Sequence, residues 1–123
     1  ESDLLEVIDA CCNSKLDTQE IKWKNKSSMC IVLCSKGYPG KYYKNVEIKN
    51  LKEFKSSENS FIFHAGTKTS GNKILAIGGR VINFVNISDS YSSSRKEIIN
   101  QIKKLNWEDG FYRSDIGHKV IDK

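Results

Sequence analysis

The sequence predicts an α+β fold, a mixed or antiparallel β-sheet with two packed helices. Apolar residues recur at helical spacing in residues 3–12 and again in residues 98–105. Between these segments lie several short apolar runs separated by turn residues, a pattern typical of strands. Because the strand-like runs follow one another without long helical segments between them, an antiparallel or mixed sheet is expected.

Length and composition indicate a single domain. The chain has 123 residues, of which 38% are hydrophobic and 28% charged, which is ordinary for a soluble protein. The longest apolar run, residues 29–34, is far shorter than the ~20 residues that cross a bilayer. The net charge of +5 comes from scattered lysines and indicates a solvated surface. We expect a cytoplasmic protein without a membrane or nucleic-acid partner.

The four cysteines do not predict a metal site. Cys11, Cys12, Cys30 and Cys34 contain no Cys-x-x-Cys pair, and the chain has only two histidines. The pattern predicts reduced, partly buried thiols of a cytosolic protein and no metal ligands.

The first half of the chain predicts one helix and several strands. Leu4, Leu5 and Ile8 share one face of the first helix. Alternation in residues 21–24 predicts a half-buried strand, and the unbroken apolar run 29–34 a strand buried on both faces. Residues 35–45 predict a loop. Further strands are expected at residues 46–48 and 61–64, and an exposed turn at residues 68–72.

The second half predicts two more strands and the second helix. Residues 74–77 and 81–87 are strand-like, and Gly78-Gly79 between them is compatible with a two-residue hairpin turn at positive φ. Ser88-Asp89-Ser90 offers side-chain oxygens that cap a helix. Ile98, Ile99, Ile102 and Leu105 then form its apolar face, and residues 107–117 predict an aromatic loop.

Four short motifs occur in a fixed order and carry a family resemblance. They are Gly37-Tyr38-Pro39-Gly40, Phe63-His64-Ala65-Gly66-Thr67, Gly78-Gly79-Arg80-Val81 and Arg113-Ser114-Asp115-Ile116-Gly117. In this order they resemble the carboxy-terminal domain of the glycinamide ribonucleotide synthetase (phosphoribosylamine–glycine ligase) family, which belongs to the ATP-grasp superfamily. The resemblance runs from residue 1 to about residue 120. The sequence departs from the family pattern at residues 75–77, 82–84 and 92–94, and Asn45 replaces a usual glycine.

The resemblance implies a domain organisation and an activity. Residues 1–15 would be a helix that continues from a missing ATP-grasp domain, and residues 16–123 the C-terminal domain. The full-length protein would be an ATP-dependent C–N ligase of de novo purine biosynthesis: ATP + 5-phosphoribosylamine + glycine → ADP + phosphate + glycinamide ribonucleotide. ATP and Mg²⁺ (or Mn²⁺) would be bound by upstream residues that are not in this chain. The chain alone would close the active-site cleft and is expected to be inactive.

The same resemblance assigns candidate site residues. Arg80, with Gly78 and Gly79, would hold the 5-phosphate of the substrate, because a guanidinium offers forked donors that match a phosphate. The alternative is a salt bridge for Arg80 and a plain turn for the glycines. His64 and Thr67 are assigned to substrate contact or cleft support rather than proton transfer, with a structural histidine as the alternative.

Arg113 and Asp115 of the fourth motif suggest a role outside the substrate site. Opposite charges two residues apart can cap a loop or pair with a neighbouring domain. The resemblance favours docking onto the ATP-grasp core. For Gly37-Tyr38-Pro39-Gly40 the residues themselves predict a type II turn, with positive φ at Gly40.

Two other functions remain open from the sequence. One is a basic nucleic-acid-binding module that uses scattered lysines with Trp23, Tyr38, Tyr42 and Tyr43 as stacking surfaces. The other is the same domain in a sibling ATP-grasp ligase with a different acceptor.

Overall fold

The computed structural model describes residues 1–121 and contains three helices and seven strands within that range. The helices are α1 (Leu4–Cys12), α2 (Tyr91–Leu105) and α3 (His118–Ile121), and 3₁₀ turns occupy Leu16–Thr18 and Leu51–Glu53. The strands are β1 (Ser27–Ser35), β2 (Val46–Glu47), β3 (Ser60–His64), β4 (Thr67–Ser70), β5 (Lys73–Ala76), β6 (Arg80–Ser88) and β7 (Gly110–Phe111).

The strands form two antiparallel sheets. The larger sheet has the order β3-β6-β1-β7, and the smaller has the order β2-β5-β4. Every strand pair is antiparallel. The predicted α+β class is therefore confirmed.

The core lies on one face of the larger sheet. Alternate residues of β1, namely Met29, Ile31 and Leu33, are buried on this face, and β6 contributes Phe84 opposite Ile31. Helix α2 covers the face with its apolar stripe, including the fully buried Ile98. As expected, Ser90 caps α2, because its side chain accepts a hydrogen bond from the amide of Ser93.

The opposite face of the larger sheet remains open within residues 1–121, so the prediction of a strand buried on both faces is wrong. Cys30 on this face is exposed, and Cys34 is half-buried. Phe63 of β3 lies on the same face and is 54% exposed. The prediction of partly buried thiols is also wrong for three of the four cysteines, because Cys11 and Cys12 are exposed too. All four thiols are free.

The N-terminal segment contains the predicted helix but not the predicted strand. Asp3 caps α1 by accepting from the amide of Leu5 at 2.7 Å. Residues 21–24 are not a strand, and Trp23 is 83% exposed. Instead, the carbonyl of Lys22 accepts from the amide of Ser2, whose hydroxyl accepts from the amide of Lys22 at 2.7 Å. This segment therefore pairs with the start of α1 rather than with a sheet.

The smaller sheet corrects two further predictions. Residues 68–72 were expected to be an exposed turn, but most of them belong to β4, which pairs with β5 around the turn at Gly71 and Asn72. Strands β5 and β6 are not a hairpin, since β5 pairs with β2 and β4 while β6 pairs with β1 and β3. The segment at Gly78-Gly79 therefore leads the chain from one sheet to the other. None of the helices within residues 1–121 is long and apolar enough to cross a membrane.

Candidate functional site

Three of the four sequence motifs meet where the two sheets join. We call this region the glycine corner and define it by Ser35, Tyr38, Gly66, Gly78 and Gly79. Its segments are connected by backbone hydrogen bonds. The carbonyl of Gly66 accepts from the amides of Ile77 at 2.8 Å and Gly78 at 3.2 Å. The amide of Gly66 donates to the carbonyl of Arg80 at 2.9 Å.

Gly66 is a glycine because the backbone at residues 78–80 lies directly against it. A Cβ atom at Gly66 would lie 2.6 Å from the carbonyl oxygen of Arg80 and 2.7 Å from Cα of Gly78. Both contacts are with backbone atoms, which have no rotamer that relieves the clash. The small residues of the second motif therefore serve close approach of two chain segments.

Gly79 is a glycine because the ring of Tyr38 lies over it. A Cβ atom there would lie 2.0 Å from Cδ2 of Tyr38. Ser35 holds the same segment, since its amide donates to the carbonyl of Gly79 and its hydroxyl to the carbonyl of Gly78, both at 2.8 Å. Neither Gly78 nor Gly79 has a positive φ. The hairpin-turn explanation for these glycines is therefore wrong, and close packing is the reason for them.

The loop of the first motif also differs from the expected type II turn. The positive φ of +98° belongs to Gly37 rather than Gly40, and the Tyr38–Pro39 peptide bond is cis. A Cβ atom at Gly37 would lie 2.3 Å from the carbonyl oxygen of Lys41. Asn45 adopts the left-handed conformation, with φ of 61°, as its tolerance for that region predicts.

Arg80 stands at the start of β6 beside the glycine corner. It lies opposite Cys34 across the sheet, and a bulge leaves Val81 without a partner on β1. The side chain is exposed. Within residues 1–121 no carboxylate lies within salt-bridge distance of it. Burial raises the pKa of the Cys34 thiol, and the nearby positive charge of Arg80 partly opposes that rise.

His64 and Thr67 lie at the other side of the same corner. His64 ends β3 and Thr67 begins β4. Nδ1 of His64 lies 2.8 Å from Oγ1 of Thr67, and the backbone between them bonds to residues 80 and 81. The predicted residues 64, 67 and 78–80 therefore share one corner. The register pairs His64 with Ile82 on the core side, whereas Arg80 faces the open side with Cys34.

The fourth motif follows β7 and reaches the far end of the larger sheet at Gly117. Gly117 packs against Met29, near the start of β1, whereas the glycine corner contains Ser35 at its end. Six residues of strand separate them, or roughly 20 Å. Arg113 and Asp115 form a two-point ion pair with distances of 2.9 and 2.6 Å. The hydrogen bonds from Arg113 lower the pKa of Asp115 and raise that of Arg113.

The residues of this chain can hold an anion better than a metal. Within the described part of the chain, no group of three or more His, Cys, Asp or Glu side chains is placed to hold a metal ion. Beside the glycine corner lie instead the exposed guanidinium of Arg80 and, on the other side, the imidazole of His64 on a fixed turn. A guanidinium and a neutral imidazole N–H are both donors that suit phosphate or carboxylate oxygens.

Sequence reasoning missed Ser35 and the packing role of Tyr38. Ser35 is 3% exposed and bonds both glycine carbonyls, yet it precedes the first motif without any local signature. A buried polar residue at the end of an apolar run was the signal available. Such a residue needs internal hydrogen-bond partners.

Comparison with solved structures identifies the fold of the chain. The crystal structure of phosphoribosylamine–glycine ligase from Thermotoga maritima superimposes with a TM-score of 0.65 at 22% identity. The match covers 91% of this chain and 28% of that one. The chain therefore has the fold of a domain found within a ligase.

Sequence comparison then gives the family. Residues 28–119 match the model of the phosphoribosylglycinamide synthetase C domain, and the chain belongs to this family. It is 40% identical over 116 residues to phosphoribosylamine–glycine ligase of Caldanaerobacter subterraneus subsp. tengcongensis, covering 94% of this chain and 27% of the relative. It is 38% identical over 123 residues to the bifunctional purine biosynthetic protein purD of Dictyostelium discoideum, covering 99% and 15%. The chain thus spans about a quarter or less of these relatives.

Proposed function

We propose that this chain is the C-terminal domain of a phosphoribosylamine–glycine ligase of purine biosynthesis. The complete enzyme would join glycine to 5-phosphoribosylamine with cleavage of ATP to ADP and phosphate. The family match over residues 28–119 and the names of the relatives support the activity. The short share of each relative that the chain spans supports a role as one domain of a longer polypeptide.

One observation carries the role of this domain. Arg80 is exposed at the glycine corner and has no acidic partner within residues 1–121. A permanently charged guanidinium without an internal partner is available to a phosphate. We assign Arg80 to the phosphate of phosphoribosylamine, and we assign His64 and Thr67, on the other side of the same corner, to substrate contact or cleft support. Gly78 and Gly79 would support this contact by their small size. The amide of Gly78 would not bind the phosphate, because it already donates to the carbonyl of Gly66.

ATP and its metal belong elsewhere in this proposal. The described residues offer no carboxylate cluster for Mg²⁺ or Mn²⁺. One exposed arginine, Arg80, lies beside the glycine corner, and the amides of Gly66 and Gly78 already donate to backbone carbonyls within the chain. These residues do not fit an ATP–metal complex, so upstream residues that are not in this chain would bind it. The reaction would take place in a cytoplasmic enzyme, with this domain forming one wall of the cleft.

The surface of the chain supports packing against further domains. Leu4 and Leu5 of α1 are 70% and 74% exposed, although an amphipathic helix normally buries such a face. Residues 1–15 would continue from an ATP-grasp domain, and residues 16–123 would form the C-terminal domain, whose last two residues lie outside the described range. The exposed ion pair of Arg113 and Asp115 is assigned to docking onto the ATP-grasp core.

The decisive experiment measures ADP release by the complete reading frame that contains this chain. ATP is supplied throughout, and glycine and phosphoribosylamine are added together and singly. We expect ADP only when both substrates are present, and none from the 123-residue chain under any condition. ADP release by the isolated chain would contradict the domain assignment. No ADP from the complete protein in any combination would contradict the ligase assignment.

A further inference from the structure

The hydrogen bond between His64 and Thr67 has a fixed setting. Thr67 is half-buried, while His64 is exposed at the end of its strand. The turn between them is held by Gly66, whose amide donates to Arg80 and whose carbonyl accepts from Ile77. The imidazole is therefore attached at Nδ1 to a rigid segment of the glycine corner, and its other nitrogen, Nε2, has no hydrogen-bond partner within residues 1–121.

The direction of this hydrogen bond can be inferred from the donor and acceptor capacity of the threonine hydroxyl. A hydroxyl is both a donor and an acceptor. Within the described residues, the side chain of Thr67 has one hydrogen-bond partner, Nδ1 of His64 at 2.8 Å. If Nδ1 donated to Oγ1, the hydroxyl proton of this half-buried residue would lack an acceptor in that range. If Oγ1 donates to Nδ1, the proton is satisfied, which is the favoured outcome for a partly buried polar group.

We propose that Thr67 is a positioning residue that keeps the proton of neutral His64 on Nε2. The hydroxyl of Thr67 donates to Nδ1, so His64 presents Nε2–H as a hydrogen-bond donor to an anionic oxygen of the substrate. This inference rests on the proposed function and deepens it. With Nε2 already protonated, neutral His64 is a donor to the substrate and does not take a proton at that atom.

The two substrates of the proposed reaction other than ATP each carry an anionic oxygen. One is on the phosphate of phosphoribosylamine, and the other is on the carboxylate of glycine. The chemistry that His64 recognises is the same in either case. Because kinetics report a KM for each substrate, the experiment below also identifies which oxygen is bound.

The tautomer can be measured directly on the 123-residue chain. It contains only two histidines, His64 and His118, so ¹⁵N imidazole spectra have few signals. The spectra are recorded at about pH 9, where an imidazole is ordinarily neutral. His118 is an internal reference, because its Nδ1 lies 2.8 Å from the carbonyl oxygen of Asp115 and must carry the proton. We expect the opposite pattern for His64, with the proton on Nε2.

Substitutions at Thr67 test the positioning role in the same spectra. Thr67→Val keeps the branched shape but removes the hydroxyl, so the two nitrogen signals of His64 should move toward each other. Thr67→Ser should restore the wild-type pattern, and His118 should be unchanged in both variants. A proton on Nδ1 of His64 in the wild type, or no change in Thr67→Val, would overturn the inference.

Kinetics of the complete reading frame test the consequence. Thr67→Val is expected to raise one KM, for phosphoribosylamine or for glycine, about fivefold, and Thr67→Ser to restore most of it. In a His64→Ala background the same substitution should add little, because Thr67 acts through His64. Additive losses, or no loss in Thr67→Val, would overturn the positioning role. The tautomer result needs no ligase activity, so an absence of ADP release would count against the proposed function alone.

Discussion

Arg80 is the residue on which the proposed substrate contact depends. Replacing it with alanine in the complete reading frame should raise the KM for phosphoribosylamine tenfold or more, on the order of the loss of a charge-assisted contact. Arg80→Lys keeps the positive charge but not the forked pair of N–H donors, so it should raise this KM by less than Arg80→Ala does. Steady-state kinetics with each substrate varied in turn measure the effect. Unchanged KM and kcat in Arg80→Ala would remove Arg80 from the site.

Gly66 tests whether close packing explains the glycines of the corner. Gly66→Ala should lower the free energy of unfolding by about 2–3 kcal/mol, because the added methyl meets backbone atoms at 2.6 and 2.7 Å. Gly71→Asn is the control. Nothing lies within 4 Å of a Cβ there, and asparagine tolerates the φ of +55°. Urea unfolding of the isolated chain compares the two, and equal stabilities would contradict the packing explanation.

The ion pair of the fourth motif makes a prediction about acidity. Arg113 holds the pKa of Asp115 below its ordinary value through hydrogen bonds and charge. Arg113→Gln should therefore raise the pKa of Asp115 toward that of a free aspartate, as followed by carboxyl ¹³C shifts. Because the folded-state pKa is depressed, the pair stabilises the fold above the unfolded pKa near 4 and loses this effect as pH falls through the folded value. A pKa that is the same in both proteins would contradict the contact.

At the scale of elements, the N-terminal cap of α2 offers a clean test. Ser90 accepts from the amide of Ser93 at 3.1 Å, so Ser90→Ala should cost about 1 kcal/mol of stability. Ser92→Ala is the matched control, since Ser92 is exposed on the same helix turn and alanine favours helix. Thermal or urea unfolding of the isolated chain measures both. If Ser92→Ala lowered the stability as much as Ser90→Ala, loss of the cap would not be the cause of the destabilisation.

The elements that could be predicted are those whose partners are close in sequence or whose periodicity is strong. Helix α2 follows from a cap and an apolar stripe, and β1 from an apolar run. Residues 21–24 alternate like a strand, but they find their backbone partners at Ser2 instead of a sheet. The polar strand β4 has no apolar signature, because it is an exposed edge of the smaller sheet.

The candidate site could be predicted only in part from the sequence, for a similar reason. His64, Thr67 and Arg80 stand in motifs, and the structure brings their segments to one corner. Ser35 joins the corner through a long-range contact. Its hydroxyl donates to the carbonyl of Gly78, more than forty residues later in the chain. No local pattern encodes such a contact. The motifs mark the glycines, but the reason for them, close approach rather than a hairpin turn, depends on the sheet topology.

At the scale of the whole molecule, the exposed face of α1 predicts different behaviour for the chain alone and within a longer enzyme. Leu5→Glu should change the stability of the isolated chain by no more than about 0.5 kcal/mol, because Leu5 is 74% exposed. In the complete reading frame it should cost on the order of 2 kcal/mol or more, because the new charge would be buried without a partner.

Thr69→Glu supplies the comparison for this prediction. Thr69 is exposed on β4 of the smaller sheet, so its substitution should be nearly neutral in both proteins. Calorimetry of the four variant proteins measures the difference. Equal effects of Leu5→Glu in the short and complete proteins would indicate that α1 does not form an interface.

The contact of Tyr38 with Gly79 also constrains the order in which these two positions can be substituted during evolution. A side chain at position 79 meets the tyrosine ring at 2.0 Å, so its arrival ahead of any change at position 38 creates a clash. If a smaller residue first replaces Tyr38, the space that it leaves can later accommodate a side chain at position 79. Mutational paths through this pair should therefore be ordered, with lineages that lose the tyrosine preceding those that lose the glycine.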